Sequence, residues 1–157
     1  MLILYIDADA CPVKDEIYKV TERFAMQVIV VANSPMRIPR TERISLVEKK
    51  GFDGVDDWIA EQCGPGDIVI TADIPLASRA LLKGSRVLDP RGVPFTENDI
   101  GAALAMRELM NELRQTGEVT GGPAPMTQRD RSNFLNKLDQ VIHAVKREFP
   151  VRKTAGE

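Results

Sequence analysis

Leu2-Ile3-Leu4-Tyr5-Ile6-Asp7-Ala8-Asp9-Ala10-Cys11-Pro12-Val13 begins with five apolar residues in a row and then sets two carboxylates two positions apart. An uninterrupted apolar run reads as a strand covered on both faces, the habit of parallel sheets, because a strand wet on one side alternates. Comparable runs recur at 28–32, at 68–71 and, more briefly, at Val87-Leu88. Helical spacing lies between them. Val13, Ile17, Val20 and Phe24 fall at i, i+4, i+7 and i+11 in a helix over 13–26, with Pro12 placed where a missing N–H costs nothing. Shorter helices are expected over 54–63 and 74–83, the second opened by Asp73 as N-cap and closed by Gly84. Strand and helix alternate, so an α/β fold with a mainly parallel sheet and right-handed crossovers is expected.

Working outward, residues 33–43 break the rhythm with Pro35, Pro39, Arg37, Arg40 and Arg43, and read as a long basic loop. A short further strand is expected over 44–48. Beyond Asp89-Pro90-Arg91-Gly92 the strand signals stop and two long helical patterns follow. The first, over 97–114, carries Ile100, Leu104, Met110 and Leu113; the second, over 128–147, carries Phe134, Leu138, Val141 and Val145 at spacings of 4, 3 and 4. Thr120-Gly121-Gly122-Pro123 between them reads as a loop. This gives one domain over 1–157, with a core over about 1–92 and a C-terminal helical extension over about 93–150. The spacing within 134–145 suits packing on the core or on a second subunit, which leaves a homodimer through this helix open.

A chain of 157 residues, 43% hydrophobic and 28% charged, is long enough for a real core and is neither disordered nor fibrous in composition. The formal net charge of −2 supplies no global field to hold nucleic acid, so any such contact must be local. Residues 127–157 carry seven basic and four acidic side chains, whereas residues 1–89 carry eleven basic and fourteen acidic. Cys11 and Cys63 belong to no C-x-x-C pair, which suggests neither a disulfide framework nor a thiolate zinc site. The five apolar residues before Asp7 are far short of a signal-peptide core or a span of ~20 residues. The expected setting is the cytoplasm, without membrane attachment.

The chemistry follows from where carboxylates fall relative to the strands. In extended chain, residues two apart point the same way, so Asp7 and Asp9 face one site; Asp73 stands in the same relation to the run at 68–71. In a parallel sheet these strand ends share one edge, where ligands bind. Asp56-Asp57 adds a carboxylate from a neighbouring element, with Asp57 the choice for a ligand. Converging carboxylates repel unless a cation is present, and with one histidine in the chain an oxygen-only set favours Mg²⁺ or Mn²⁺ over Zn²⁺. Each residue also has an ordinary structural explanation: Asp73 as a cap, Asp9 as a turn residue, Asp56 and Asp57 as a solvated helix start. Asn33 and Arg37 follow the second strand onto the same edge, where Arg37 suits a phosphate. Thr71 suits a role on a carboxylate, water or substrate. Cys11 has no histidine near it in sequence and reads as a small half-buried residue rather than a nucleophile.

Ile6-Asp7-Ala8-Asp9-Ala10-Cys11-Pro12-Val13, Gly66-Asp67-Ile68-Val69-Ile70-Thr71-Ala72-Asp73-Ile74-Pro75-Leu76-Ala77, Asp89-Pro90-Arg91-Gly92, and Thr120-Gly121-Gly122-Pro123 followed by Asp130-Arg131 together resemble the YaiI/YqxD family of bacterial proteins. The resemblance spans about residues 3–142. The first half is similar to PIN-domain-like folds, which implies a three-layer α/β/α, PIN-like or Rossmann-like architecture whose acidic residues bind Mg²⁺ or Mn²⁺ and cut RNA or DNA. By position, Asp7 matches the first-strand aspartate and Asp73 the aspartate of the Thr-x-Asp motif. Asp56 or Asp57 takes the mid-chain place, and Asp9 is an additional ligand or a group that supports the ligands from behind. The segment around Arg129, Asp130 and Arg131 departs from a minimal PIN-like domain; Arg129 and Arg131 suit substrate phosphates, or Asp130 and Arg131 pair with each other.

The expected function is therefore a metal-dependent phosphodiesterase acting on RNA or DNA, with Asp7, Asp9 and Asp73 catalytic and Asp7, Asp9, Asp57 and Asp73 on the metal. Asn33, Arg37, Thr71, Arg129 and Arg131 are expected to face substrate. One alternative is a nucleic-acid-binding or regulatory module that does not cut, although sparse aromatics offer little stacking surface. Another is a haloacid-dehalogenase-type phosphohydrolase with Asp7 as nucleophile, Asp9 as acid/base, Thr71 on phosphate and Lys83 as the next basic group.

Overall fold

The computed structural model describes residues 2–115 and 125–150. Five parallel strands and one antiparallel edge strand form a single sheet: β1 (Ile3–Asp7), β2 (Gln27–Ala32), β3 (Ile44–Glu48), β4 (Ile68–Ile70), β5 (Arg86–Leu88) and β6 (Pro94–Phe95), ordered β3-β2-β1-β4-β5-β6. The helices are α1 (Lys14–Arg23), α2 (Gly54–Gln62), α3 (Ile74–Leu82), α4 (Glu97–Gln115) and α5 (Gln128–Glu148). A 3-10 turn at Ala8–Ala10 follows β1. The Thr120-Gly121-Gly122-Pro123 loop lies outside the described residues.

Apolar runs cover both faces of the sheet, as the opening stretch predicts. Leu4, Ile6, Val28, Val30, Ile68, Ile70 and Leu88 point into one core with Ile17 and Val20 of α1 and Phe134, Leu138, Ile142 and Val145 of α5. Tyr5, Val31, Val69 and Val87 point the other way, onto Val55 and Ile59 of α2 and Leu76, Ala77 and Ala80 of α3. The result is a three-layer α/β fold. The stripe of α5 is thus buried inside its own chain, so the C-terminal extension completes a layer of the core.

Two local readings change. Val13 caps α1 rather than opening it, so the helix runs over Lys14–Arg23. Strands also do not end at β5: Pro94–Phe95 adds an antiparallel edge pairing with Val87 and Leu88. Two residues are too short to show a period, and an edge strand tolerates the N–H that proline lacks. The turn between β5 and β6 is built by Asp89, whose Oδ1 accepts the N–H groups of Arg91 at 2.8 Å and Val93 at 2.9 Å. Gly92 has φ +87, and a Cβ there would come within 3.2 Å of the Phe134 Cα, so the turn packs directly on the α5 backbone only with glycine.

α5 is also fixed at its ends. Thr127 and Asp130 form a capping box at its N-terminus, Asp130 pairs with Arg91 at 3.2 Å, and Glu148 pairs with Arg86. α4 packs along α3 and brings Ile100 to the second core, while Met106 and Leu109 stay exposed.

Candidate functional site

Strand order places a switch point beside β1. The chain leaves β1 toward β2 and β3 on one side, then returns to β4 on the other. Connections from the C-terminal ends of β1 and β4 diverge there and leave a crevice, the usual ligand position in open α/β sheets. Asp7 is the last residue of β1, and Thr71 directly follows β4. The Thr71 hydroxyl donates to Asp7 Oδ2 at 2.7 Å and accepts the Asp73 N–H at 3.0 Å. Asp73 then caps α3, its Oδ1 accepting the Leu76 N–H at 2.8 Å. One buried hydroxyl therefore ties both sides of the crevice.

Like charges crowd this edge, with Thr71 and the field of Arg79 as partial relief. Burial pushes the Asp7 carboxyl above its ordinary range, the Thr71 hydroxyl pulls it down, and the charges of Asp73 and Asp9 push it up again. Asp56, on the first turn of α2, is pushed up to about 6 by burial and then by Asp73, Asp7, Asp53 and Asp57, all in the same direction. Among the described residues none of Asp7, Asp56 and Asp73 forms an ion pair. Thr71→Val removes the one side-chain hydrogen bond to Asp7 among the described residues, which favours its ionised form. It is expected to cost about 1–3 kcal/mol at neutral pH and less in acid, read by urea denaturation at both pH values.

The acidic pair on α2 divides differently from the sequence choice. Asp57 is exposed and bonds Arg79 at 2.7 Å, so its charge is answered at the surface. Asp56 is the α2 carboxylate coupled to Asp7 and Asp73. Helical period carries the signal: Asp56 precedes buried Ile59 and Ala60 by three and four residues, whereas Asp57 lies one turn before exposed Glu61.

Asp9 sits in the 3-10 turn with both carboxylate oxygens on the Asn33 N–H, at 3.1 and 3.0 Å. The Asn33 side-chain amide donates to the Gly51 carbonyl at 3.0 Å, so both polar groups of Asn33 that face this edge hold loops. Lys14, missed in the sequence reading, steadies the turn by donating to the carbonyls of Ala8 at 3.2 Å and Cys11 at 2.7 Å. Arg37 is exposed on the loop after β2. Arg43, at the far end of that loop, is structural, reaching Thr21 Oγ1 at 2.8 Å and the Tyr18 carbonyl at 2.9 Å.

Near the start of α5, Arg129 is exposed, but Arg131 donates to the Pro12 carbonyl at 2.7 Å and to Glu16 Oε1 at 3.2 Å. It docks α5 against the start of α1 instead of pairing with Asp130. Cys11 is buried, and burial pushes its thiol up, the reverse of what a nucleophile needs. Lys83 ends α3 at the opposite edge from Asp7, where the Gly66 N–H ahead of β4 meets the Gly84 carbonyl at 3.4 Å. The haloacid-dehalogenase scheme loses its basic group to that distance.

Oxygen donors only, with mutual repulsion, suit a hard divalent cation. Asp7 and Asp73 each use one carboxylate oxygen in a hydrogen bond among the described residues, and Asp56 uses neither. Yet among the described residues no group of three or more histidine, cysteine, aspartate and glutamate side chains is placed to hold a metal ion. The donor chemistry fits; a closed cage is not pre-formed. No helix of the described residues is long and apolar enough to cross a membrane.

Similarity to known proteins extends over nearly the whole chain. The family model described as the uncharacterised YaiI/YqxD family matches residues 5–144. A UPF0178 protein of Bradyrhizobium sp. (strain ORS 278) is 56% identical over 152 residues, covering 96% of this chain and 93% of the relative. UPF0178 proteins of Rhodopseudomonas palustris (strain HaA2) and Azorhizobium caulinodans are 54% identical over 148 residues and 55% identical over 147, covering 94% and 93% of this chain and 90% and 92% of those relatives. No solved structure matches the chain. With the family model spanning both halves of the fold, including the Asp7, Asp56 and Asp73 edge, the chain belongs to the YaiI/YqxD family of bacterial proteins.

Proposed function

We propose that this edge of the sheet is a cation-dependent phosphodiesterase site acting on RNA or DNA. The observation that carries the reading is that the charges of Asp7 and Asp73, from two other elements at the switch point, bear on Asp56, with none of the three in an ion pair among the described residues and only Arg79, itself paired with Asp57, reaching Asp56 with its field. Asp7, Asp56 and Asp73 are the residues that would hold Mg²⁺ or Mn²⁺, and such an ion supplies Lewis acidity and a more acidic water. Thr71 fixes the orientation of Asp7 and the entry of the chain into α3. Asp9 acts one step away, through its field on Asp7 and its hold on Asn33. Arg37 and Arg129, both exposed, are the side chains left to meet substrate phosphates, since Arg131 and the Asn33 amide are already engaged. Buried free thiols at Cys11 and Cys63 suit a reducing compartment, and the reading places the protein in the cytoplasm.

A binding module that does not cut is the second reading. It is favoured by the hydrogen bonds that hold Asp7, Asp9 and Asp73, and by the absence of a closed donor set among the described residues. The two separate on labelled single-stranded RNA and DNA incubated with Mn²⁺ or Mg²⁺. Cleavage that needs the ion and disappears in Asp7→Asn is expected. Binding without cleavage favours the module, and hydrolysis of a phosphomonoester alone overturns both.

A further inference from the structure

Lys49-Lys50-Gly51-Phe52-Asp53 joins β3 to α2 on the same edge as the carboxylates. Its backbone is anchored: the Lys49 N–H donates to the Ala32 carbonyl at 2.9 Å, the Gly54 N–H to the Gly51 carbonyl at 3.4 Å, and the Asn33 amide to the same Gly51 oxygen at 3.0 Å. Because the Asn33 N–H is itself held by Asp9, the loop is braced against the turn that follows β1. Gly51 takes φ +99, and its Cβ position opens on empty space.

At the tip of this braced loop Phe52 is fully exposed and belongs to neither core. A lone exposed apolar residue is ordinary. Three features together set this one apart: the support beneath it, its place four residues before Asp56, and the two lysines beside it. Neither Lys49 nor Lys50 forms an ion pair among the described residues, although acidic Asp53 and Glu48 adjoin them in the chain. An exposed aromatic face that follows two lysines without ion pairs in the same short loop suits an unpaired base with its phosphates. A protein partner would want a wider apolar patch.

We propose that Phe52, with Lys49 and Lys50, is a stacking platform for an unpaired base of a single-stranded nucleic acid. It deepens the phosphodiesterase reading by naming the substrate as single-stranded, and rests on that reading only for where the strand runs next. Stacking on an aromatic side chain is worth enough that alanine substitution costs at least about fivefold in affinity. Lysine contacts to a single strand each contribute about 0.7 to the slope of log affinity against log salt.

The test is fluorescence anisotropy of labelled 12-mers of oligo(dT), oligo(U), an abasic 12-mer and a 12-base-pair duplex, all in EDTA. Cleavage is thereby silent, and failure of the cation assignment leaves the result readable. Phe52→Ala, which removes no packing, is expected to lose at least about fivefold on oligo(dT) or oligo(U), Phe52→Trp to retain binding, and the double variant Lys49→Ala/Lys50→Ala to flatten the salt slope by about 1.4. Equal affinity of Phe52→Ala and wild type, equal affinity for the abasic strand or the duplex, or no binding by wild type at low salt overturns the proposal. Base-dependent binding combined with no cleavage under any ion keeps the platform and assigns it to the non-cutting module.

Discussion

Phe134→Ala is expected to lower the melting temperature by about 6–20 °C. Phe134 is fully buried and is the largest side chain that α5 brings to the first core, among Ile17, Leu4 and Ile6. Truncating a buried phenylalanine typically costs about 3–5 kcal/mol, from lost transfer energy and the cavity left behind, and a domain of this size moves about 2–4 °C per kcal/mol. Collapse around the vacancy is restricted. The Gly92 turn abuts the backbone at this point, and Arg91 and Asp130 join the same two segments. Calorimetry checks the shift. A change below about 2 °C contradicts the placement of α5 in the core, since Phe134 would then be unpacked.

The second large effect concerns charge. Asp56 titrates in the fold near 6 instead of its ordinary 3.8, so folding disfavours its ionised form. Stability from this group is fully present below about pH 4, falls as pH rises toward 6, and is flat beyond. Two pH units amount to ~3 kcal/mol for a sealed group, and partial exposure of Asp56 reduces this to about 1 kcal/mol. Asp56→Asn is therefore expected to be more stable than wild type at pH 7 by about 1 kcal/mol and to lose that advantage by pH 4, measured by urea denaturation across the window. Its cost falls on the ion. Removing a carboxylate from a hard-cation site weakens binding by at least on the order of a hundredfold, more than loss of a supporting residue does. Opposite signs for stability and affinity distinguish a cation site from a structural carboxylate, whose removal lowers stability.

The architecture was legible because its signals are continuous. Leu2–Ile6 and the runs at 28–32 and 68–70 have no polar interruption, and only burial on both faces explains that. Because parallel strands end on one edge, Asp7 and Asp73 share it. Asp56 and Asp57 are hard to separate in the sequence because adjacent aspartates differ only in helical phase, by about 100°, which the buried positions of α2 set. By sequence Arg131 and Asn33 suit substrate contacts, because sequence does not show that the Pro12 carbonyl and the Asp9 carboxylate lie within reach. Phe52 carries no periodic signal at all. Its exposure is a property of the folded loop, and sparse aromatic content by itself points to little stacking surface.

Calorimetric titration of Mn²⁺ into the wild type, Asp7→Asn, Asp56→Asn and Asp57→Asn at pH 7 tests the carboxylate site most directly. Saturable binding to wild type and Asp57→Asn alike is expected, with at least on the order of a hundredfold weaker binding to Asp7→Asn and Asp56→Asn. Binding that is equal in wild type and Asp7→Asn, or that is lost only in Asp57→Asn, contradicts that expectation.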